Sequence, residues 1–341
     1  MLDPLRRRAG AWSKVLADAD DAMALLTLRD LGVFDALLDG PQALNSLAEI
    51  TGAAPRRLRA FLDVVVSMGF LRRDDEDEPR FALHPVDAGL FAEPSARALL
   101  PSEDTETFFS RRGRAPQVVR SGIGLDVASA GGAVQETERR EFLTYLDRHA
   151  RAEASELAWI LGEEPASHVV DLGCGAGTYT HALLSRWPDC TATLVDRPNA
   201  AGVVAEHLAE AELGGRAAFR GVDLLAGSWS EGLSPDLVLI SNMLHNVGPE
   251  ACVELIEGAA AALVPGGRLV LKDFTVQDDR LGPPGGLRFA LLMALCSDGG
   301  DLYSCREIAG WCQAAGLEPE PPETLQCAPE SFVLVARKPE A

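Results

Sequence analysis

Paired cysteines are missing from this sequence. The seven present, at 174, 190, 252, 296, 305, 312 and 327, form no Cys-x-x-Cys pair and no Cys/His metal spacing. An odd, scattered set in a long chain argues against a disulfide framework and a zinc site, and for reduced thiols in the cytoplasm. Long apolar runs are also missing. None approaches the ~20 residues of a membrane span, so no membrane partner is expected. The opening MLDPLRRRAGAW is basic but has no apolar core behind it, so a secretory signal is not indicated. Internal repeats and low-complexity tails are lacking. Positive charge is in deficit: 31 Lys and Arg stand against 51 Asp and Glu, a formal charge of −20. Such a balance is unfavourable for binding a phosphate backbone, so no nucleic-acid partner is expected. What is there is a soluble globular composition, 47% apolar and 24% charged over 341 residues, enough for about two domains.

The apolar residues of 11–40 recur with helical period. Next come two further helical patterns, 44–51 and 55–68, separated by a turn at Gly52. Phe70-Leu71, a charged hairpin over 72–80 and Phe81-Ala82-Leu83 complete the outline of a winged helix-turn-helix. Residues 101–135 read as loop and short helices, and 136–161 as one long amphipathic helix joining two domains. Beyond 165, strands are expected at 168–172, 192–196, 217–220, 236–241, 268–274 and 331–337. Helices are expected at 177–186, 198–212, 249–263 and 304–315. Apolar strands alternating with helices predict a parallel, doubly wound sheet covered on both faces.

The stretch VVDLGCGAGTYT places Gly173, Gly175 and Gly177 between the first of these strands and its helix. Such glycines let a ligand sit against the loop, facing the free N–H groups and positive end of the helix. Pyrophosphate takes that place in the dinucleotide fingerprint. Here Asp171 lies two residues before the first glycine, and its carboxylate would repel a pyrophosphate and attract an ammonium or sulfonium. A tight strand-to-helix turn without a ligand remains open. Asp196 closes the second strand, 19 residues after Gly177, where an acid can bind both ribose hydroxyls or cap the helix that follows. Asp223, after the third strand, would flank an adenine or serve as a turn residue.

VVDLGCGAGTYT, LVDRPN, GVDLL and LVPGGRLVLKD resemble the successive motifs of class I S-adenosylmethionine-dependent methyltransferases. With the winged-helix region, the long linker helix, LHNVGPE and PGGRL, nearly the whole chain is similar to the small-molecule O-methyltransferases of plant phenolics and bacterial polyketides. The resemblance implies a winged-helix dimerisation domain over 1–100, a linker over 101–161, and a Rossmann-like catalytic domain over 162–341. It implies S-adenosylmethionine as cofactor, held by Asp171, Gly173, Gly175, Gly177, Asp196, Asp223, Leu224 and Ser241. It implies a small-molecule acceptor lined by Phe142, Met243, Asn246, Phe289 and Met293.

Of six histidines, only His245 lies just past a strand end, in ISNMLHNVGPE. In the resembled family the histidine of this stretch is the general base. An imidazole that takes the proton of a neutral phenol is worth ~10²–10⁴-fold. Two family glutamates orient that histidine. The first falls on Asp273 and the second on Leu302, with Asp301 adjacent. The family's Asp-Trp pair after the histidine is Asn246-Val247 here. These departures leave open a more acidic hydroxyl, C- or N-methylation, a non-methylating or regulatory use of the cofactor, and a His245 that merely caps the helix near Pro249. A winged helix also raises DNA binding, for which Arg56, Arg57 and Arg59 are suitable. The acids of the hairpin oppose it, and a homodimer that helps close the partner's pocket accounts for the charge.

Overall fold

Glycine and proline punctuate the first 113 residues, which form one of two units in this computed structural model. The structure describes residues 2–74, 79–97, 100, 103–125, 133–213, 215–226 and 229–340. Helix α1 (Leu2–Asp30) runs earlier than the 11–40 period predicts, and Gly32, at φ 74°, separates it from α2 (Val33–Ala36). A short β1 (Gln42–Ala43) leads into α3 (Leu44–Thr51), which ends on left-handed Gly52. Pro55 opens α4 (Pro55–Ser67), where a missing N–H costs nothing. Strands β2 (Leu71–Arg73) and β3 (Arg80–Leu83) are antiparallel, in the order β1-β3-β2. The acids at 75–78 lie outside the described residues. The sequence reading did not separate the three helices that follow, α5 (Pro85–Ala92), α6 (Pro94–Arg97) and α7 (Thr105–Gly113). Leu28, Leu47, Leu62, Val65 and Leu71 fill the core of this unit.

The second unit starts with α8 (Ala115–Ser121) and the long α9 (Ala133–Ile160). Strands and helices then alternate: β4 (His168–Leu172), α10 (Thr178–Arg186), β5 (Thr191–Asp196), α11 (Ala201–Glu210), β6 (Ala217–Gly221), β7 (Leu237–Ser241), α12 (Pro249–Ala262) and β8 (Arg268–Phe274). Helices α13 (Pro284–Cys296) and α14 (Cys305–Ala314), short β9 (Glu318–Pro319) and β10 (Glu323–Thr324), and β11 (Ser331–Arg337) complete it. Ser304 and Glu307 cap α14 reciprocally.

The sheet order is β10-β11-β8-β7-β4-β5-β6, with β9 on β11. Strands β4 to β8 are parallel, and β9, β10 and β11 are antiparallel to their neighbours. The expectation of an all-parallel sheet is thereby corrected. The chain regains the sheet at β9 and β10, and β11 then folds back as their antiparallel partner, so it runs opposite to β8. Side chains of α9, α10 and α11 pack on one face of the sheet, and those of α12 and α14 on the other. Each strand residue points to one of these two cores, and for that reason the strands read as continuous apolar runs. Just past β11, Lys338 donates from Nζ to the carbonyls of Ala260 (2.8 Å) and Leu263 (2.7 Å) at the end of α12.

Candidate active site

Strand order reverses around β4, with β5 and β6 on one side and β7 and β8 on the other. Ligands of open α/β sheets bind outside the carboxyl ends of the strands at such a reversal. Two turns meet there, 173–177 after β4 and 242–246 after β7.

Gly173, Gly175 and Gly177 have φ of 74°, 57° and 84°, left-handed values that other residues adopt at a cost. Space is short as well. A Cβ on Gly177 would lie 2.8 Å from Leu194 Cδ2, and one on Gly173 3.2 Å from Met243 Sδ. The Gly175 N–H donates to Asp196 Oδ2 at 2.8 Å, tying the turn to the end of β5.

Asp171 is fully buried. Its Oδ2 accepts from Thr180 Oγ1 at 2.6 Å, while Oδ1 has no partner among the described residues. Burial, helped by the nearby Asp196 charge, pushes this carboxyl up to about 7. A buried carboxylate oxygen without a donor fits the ammonium of an amino-acid ligand. Asp196 also accepts from the Arg197 N–H at 2.7 Å and stands 3.7 Å from the Arg139 guanidinium. No side chain caps the 3-10 turn at 198–200, so Asp196 is not a helix cap. Asp223 is exposed and accepts from the Leu225 N–H at 3.1 Å, a turn-forming bond at the buried Leu224. Ser241 is buried at the end of β7.

His245 is 7% exposed and Asp273 3%. The imidazole Nδ1 lies 2.5 Å from Asp273 Oδ1, and the His245 backbone N–H points at Oδ2 from 3.3 Å. A carboxylate only accepts, so Nδ1 is assigned the proton, and in the neutral ring Nε2 is the nitrogen that offers a lone pair. The Phe289 ring meets the imidazole edge-on at 5.0 Å and lies tilted at 48° against Phe274, 4.5 Å between centroids. Gly248 is the N-cap of α12, with no side-chain bond, so His245 does not cap that helix. Leu302 is fully buried with Val276 and Ala290 in a small apolar cluster bordered by Phe274 and Phe289. Asp301 turns instead to Arg280, at 2.6 Å.

The structure thus brings His245, Asp273 and Phe289 together, and Met243 onto Gly173. Asn246 is exposed and donates from Nδ2 to the Asn242 carbonyl at 3.2 Å. Met293 is half-buried one turn beyond Phe289. Phe142 is 54% exposed on α9, whereas its neighbour Leu143 is buried and reaches the glycine turn near Gly175. Sequence reasoning missed Leu143, and it missed a buried cluster of Lys272, Glu153, Asn242 and Tyr179. The one signal for that cluster was a lysine beside Asp273 in the otherwise apolar strand LVLKDF. Of the other histidines, His168 bonds Thr191 Oγ1 at 2.9 Å and His84 caps α5. Among the described residues no group of three or more His, Cys, Asp or Glu is arranged to hold a metal ion.

The O-methyltransferase domain model matches residues 114–318, and the O-methyltransferase dimerisation domain model matches 19–91. The tetracenomycin polyketide synthesis 8-O-methyl transferase TcmO of Streptomyces glaucescens is 29% identical over 303 residues, 86% of this chain and 87% of its own. The mitomycin biosynthesis 6-O-methyltransferase of Streptomyces lavendulae is 28% identical over 323 residues, 92% and 89% of the two chains. The solved mitomycin 7-O-methyltransferase MmcR superposes with a TM-score of 0.79 at 26% identity, covering 98% of this chain and 99% of its own. The human N-acetylserotonin methyltransferase, solved in complex with S-adenosylmethionine, shares the fold at 19% identity with a TM-score of 0.71, covering 96% and 97%. This chain therefore belongs to the S-adenosylmethionine-dependent O-methyltransferase family, with a dimerisation domain ahead of its catalytic domain.

Proposed function

We propose that this enzyme methylates a hydroxyl of a small, flat aromatic or polyketide-like molecule, with His245 as general base. The observation that carries the reading is the His245–Asp273 pair, 2.5 Å apart beside two phenylalanine rings at the sheet's switch point. The cofactor supplies a methyl group on a sulfonium, an electrophile that needs an electron-rich oxygen. A neutral phenol is a poor nucleophile at a pKa of ~10. His245 Nε2 takes the hydroxyl proton as the oxygen–methyl bond forms and the methyl–sulfur bond breaks, its electron pair returning to sulfur so that S-adenosylhomocysteine leaves as a neutral thioether. Asp273 holds Nδ1–H and stabilises the imidazolium that results. Asp171 receives the amino group of the cofactor, Asp196 its ribose hydroxyls, and Asp223 and Leu224 its adenine. Gly173, Gly175, Gly177 and Ser241 let it approach the backbone. Met243, Asn246, Phe289, Met293 and Phe142 line the acceptor's side, which is apolar with few polar anchors. The tetracenomycin polyketide synthesis and mitomycin biosynthesis named for the Streptomyces relatives support this class.

The protein is proposed to act as a homodimer. Trp12, Val15 and Leu16 make an exposed apolar stripe on α1, at 71%, 69% and 68% exposure, just ahead of the matched dimerisation region. Among the described residues no helix is long and apolar enough to cross a membrane, and no cysteine is in a disulfide, which suits the cytoplasm. The test incubates the enzyme with S-adenosylmethionine and a panel of phenols, enols and amines, and reads the product by mass. A gain of one methyl on a phenol, lost in His245→Ala while cofactor affinity holds, is expected. Methylation confined to amines or carbon acids, or full turnover in His245→Ala, overturns the reading.

A further inference from the structure

Lys272 lies on β8 immediately before Asp273 and points to the opposite face of the sheet, where it is 1% exposed. An ammonium taken out of water costs several kcal/mol unless it is paired and hydrogen-bonded. Here it is both. It forms an ion pair with Glu153 of α9 and donates to Asn242 Oδ1 at 2.8 Å, with the Phe274 ring 4.8 Å away. The circle closes through Tyr179 of α10, whose hydroxyl donates to Glu153 Oε2 at 3.2 Å and accepts from Asn242 Nδ2 at 3.2 Å. Asn242 is gripped a third time, its backbone N–H donating to the Lys272 carbonyl at 2.8 Å.

Asn242 has φ 51°, one of three left-handed non-glycine residues among those described. It stands where β7 gives way to the turn bearing Met243 and His245. Its amide is held directly from α10 and β8, and Glu153 of α9 backs both holders; these are the elements that flank the glycine turn and carry Asp273. None of the four side chains is hydrogen-bonded to the imidazole; they reach it through the backbone of the turn and through the Phe274 ring, 4.8 Å from Lys272 Nζ and 6.2 Å from the imidazole.

We propose that Lys272 is a positioning residue: with Glu153 and Tyr179 it clamps Asn242 in its left-handed conformation, and so fixes the turn that holds His245 Nδ1 against Asp273. The consequence for turnover rests on the reading of His245 as base. The effect on the imidazole does not.

The test uses the full chain with ¹⁵N-labelled histidine and the double variant Lys272→Met/Glu153→Gln, which removes both buried charges together. The Nδ1–H proton of His245 is identified by its loss in His245→Gln. In the double variant that resonance shifts or is lost to exchange, while calorimetric affinity for S-adenosylhomocysteine stays as in the parent. Turnover of an acceptor found in the mass screen falls ~10-fold or more, as small misplacements of a reacting group do. A double variant that binds S-adenosylhomocysteine normally and keeps both the resonance and full turnover overturns the proposal. Should the double variant fail to fold, Asn242→Gly and Asn242→Asp decide. Glycine tolerates the backbone angle but has no amide to clamp, and aspartate keeps an acceptor for Lys272. Loss of the Nδ1–H signal in the first with retention in the second supports the clamp, and any other pattern overturns it. Full turnover in His245→Gln sinks the base assignment alone and leaves the resonance test standing.

Discussion

Asp171 shows how one buried atom couples ligand and proton. Its carboxyl titrates near 7 because burial penalises the charge, against ~4 in an unfolded chain. The folded chain therefore holds this proton more tightly. The stability it contributes is full below about 4 and is lost as pH rises through about 7. A cationic ligand group works the other way and draws the carboxylate into its ionised form. Affinity for S-adenosylhomocysteine is thus expected to rise through that pH, with a proton released on binding below it. Calorimetry in two buffers of unlike ionisation enthalpy measures the release, which should vanish in Asp171→Asn. Asp273 yields a second expectation. Asp273→Asn lets either ring nitrogen of His245 carry the proton, and turnover should fall by ~10²-fold or more, with cofactor affinity retained. An unchanged rate would mean that no oriented imidazole is needed.

Among the elements, the strands were the most legible. The apolar runs at 168–172 and 268–274 match β4 and β8 residue for residue, because strands buried on both faces leave little room for polar interruption. Helices with strong punctuation, such as α4 behind Pro55 and α3 ahead of Gly52, were equally clear. The direction of β11 was hidden, since strand pattern is the same in either sense, and β9 and β10, against which it folds back, are two residues each and leave no period to read. At the site, His245 and Asp273 were readable from their motifs. Lys272, Glu153, Asn242 and Tyr179 were not, because their meeting depends on α9 and α10 lying side by side on one face, which no local spacing encodes. The glycine turn invites a test of its own. Gly177→Ala places a methyl 2.8 Å from Leu194 Cδ2 at φ 84°, and should cost about 1–3 kcal/mol in denaturant unfolding. An undamaged variant would show that the loop can relax at no cost.

For the whole molecule, charge opposes self-association and exposed apolar surface favours it. With a formal charge of −20 the chain repels copies of itself at long range, so any dimer must rest on apolar contact. The stripe at Trp12, Val15 and Leu16 is the exposed apolar surface suited to that. Sedimentation velocity should find a dimer in the parent and a monomer in Trp12→Glu/Leu16→Glu. A double variant that sediments like the parent would put the interface elsewhere.

Lys338 gives the extreme carboxyl end of the chain an importance that its position conceals. Its ammonium ties off the last carbonyls of α12, a helix that begins four residues after His245. Trimming the chain after Arg337, although it removes four residues from the catalytic domain's outer edge, would leave those carbonyls without their donor and loosen a helix whose other end abuts the chemistry. A shortened enzyme should unfold at lower temperature and lose turnover sooner on heating than the intact chain.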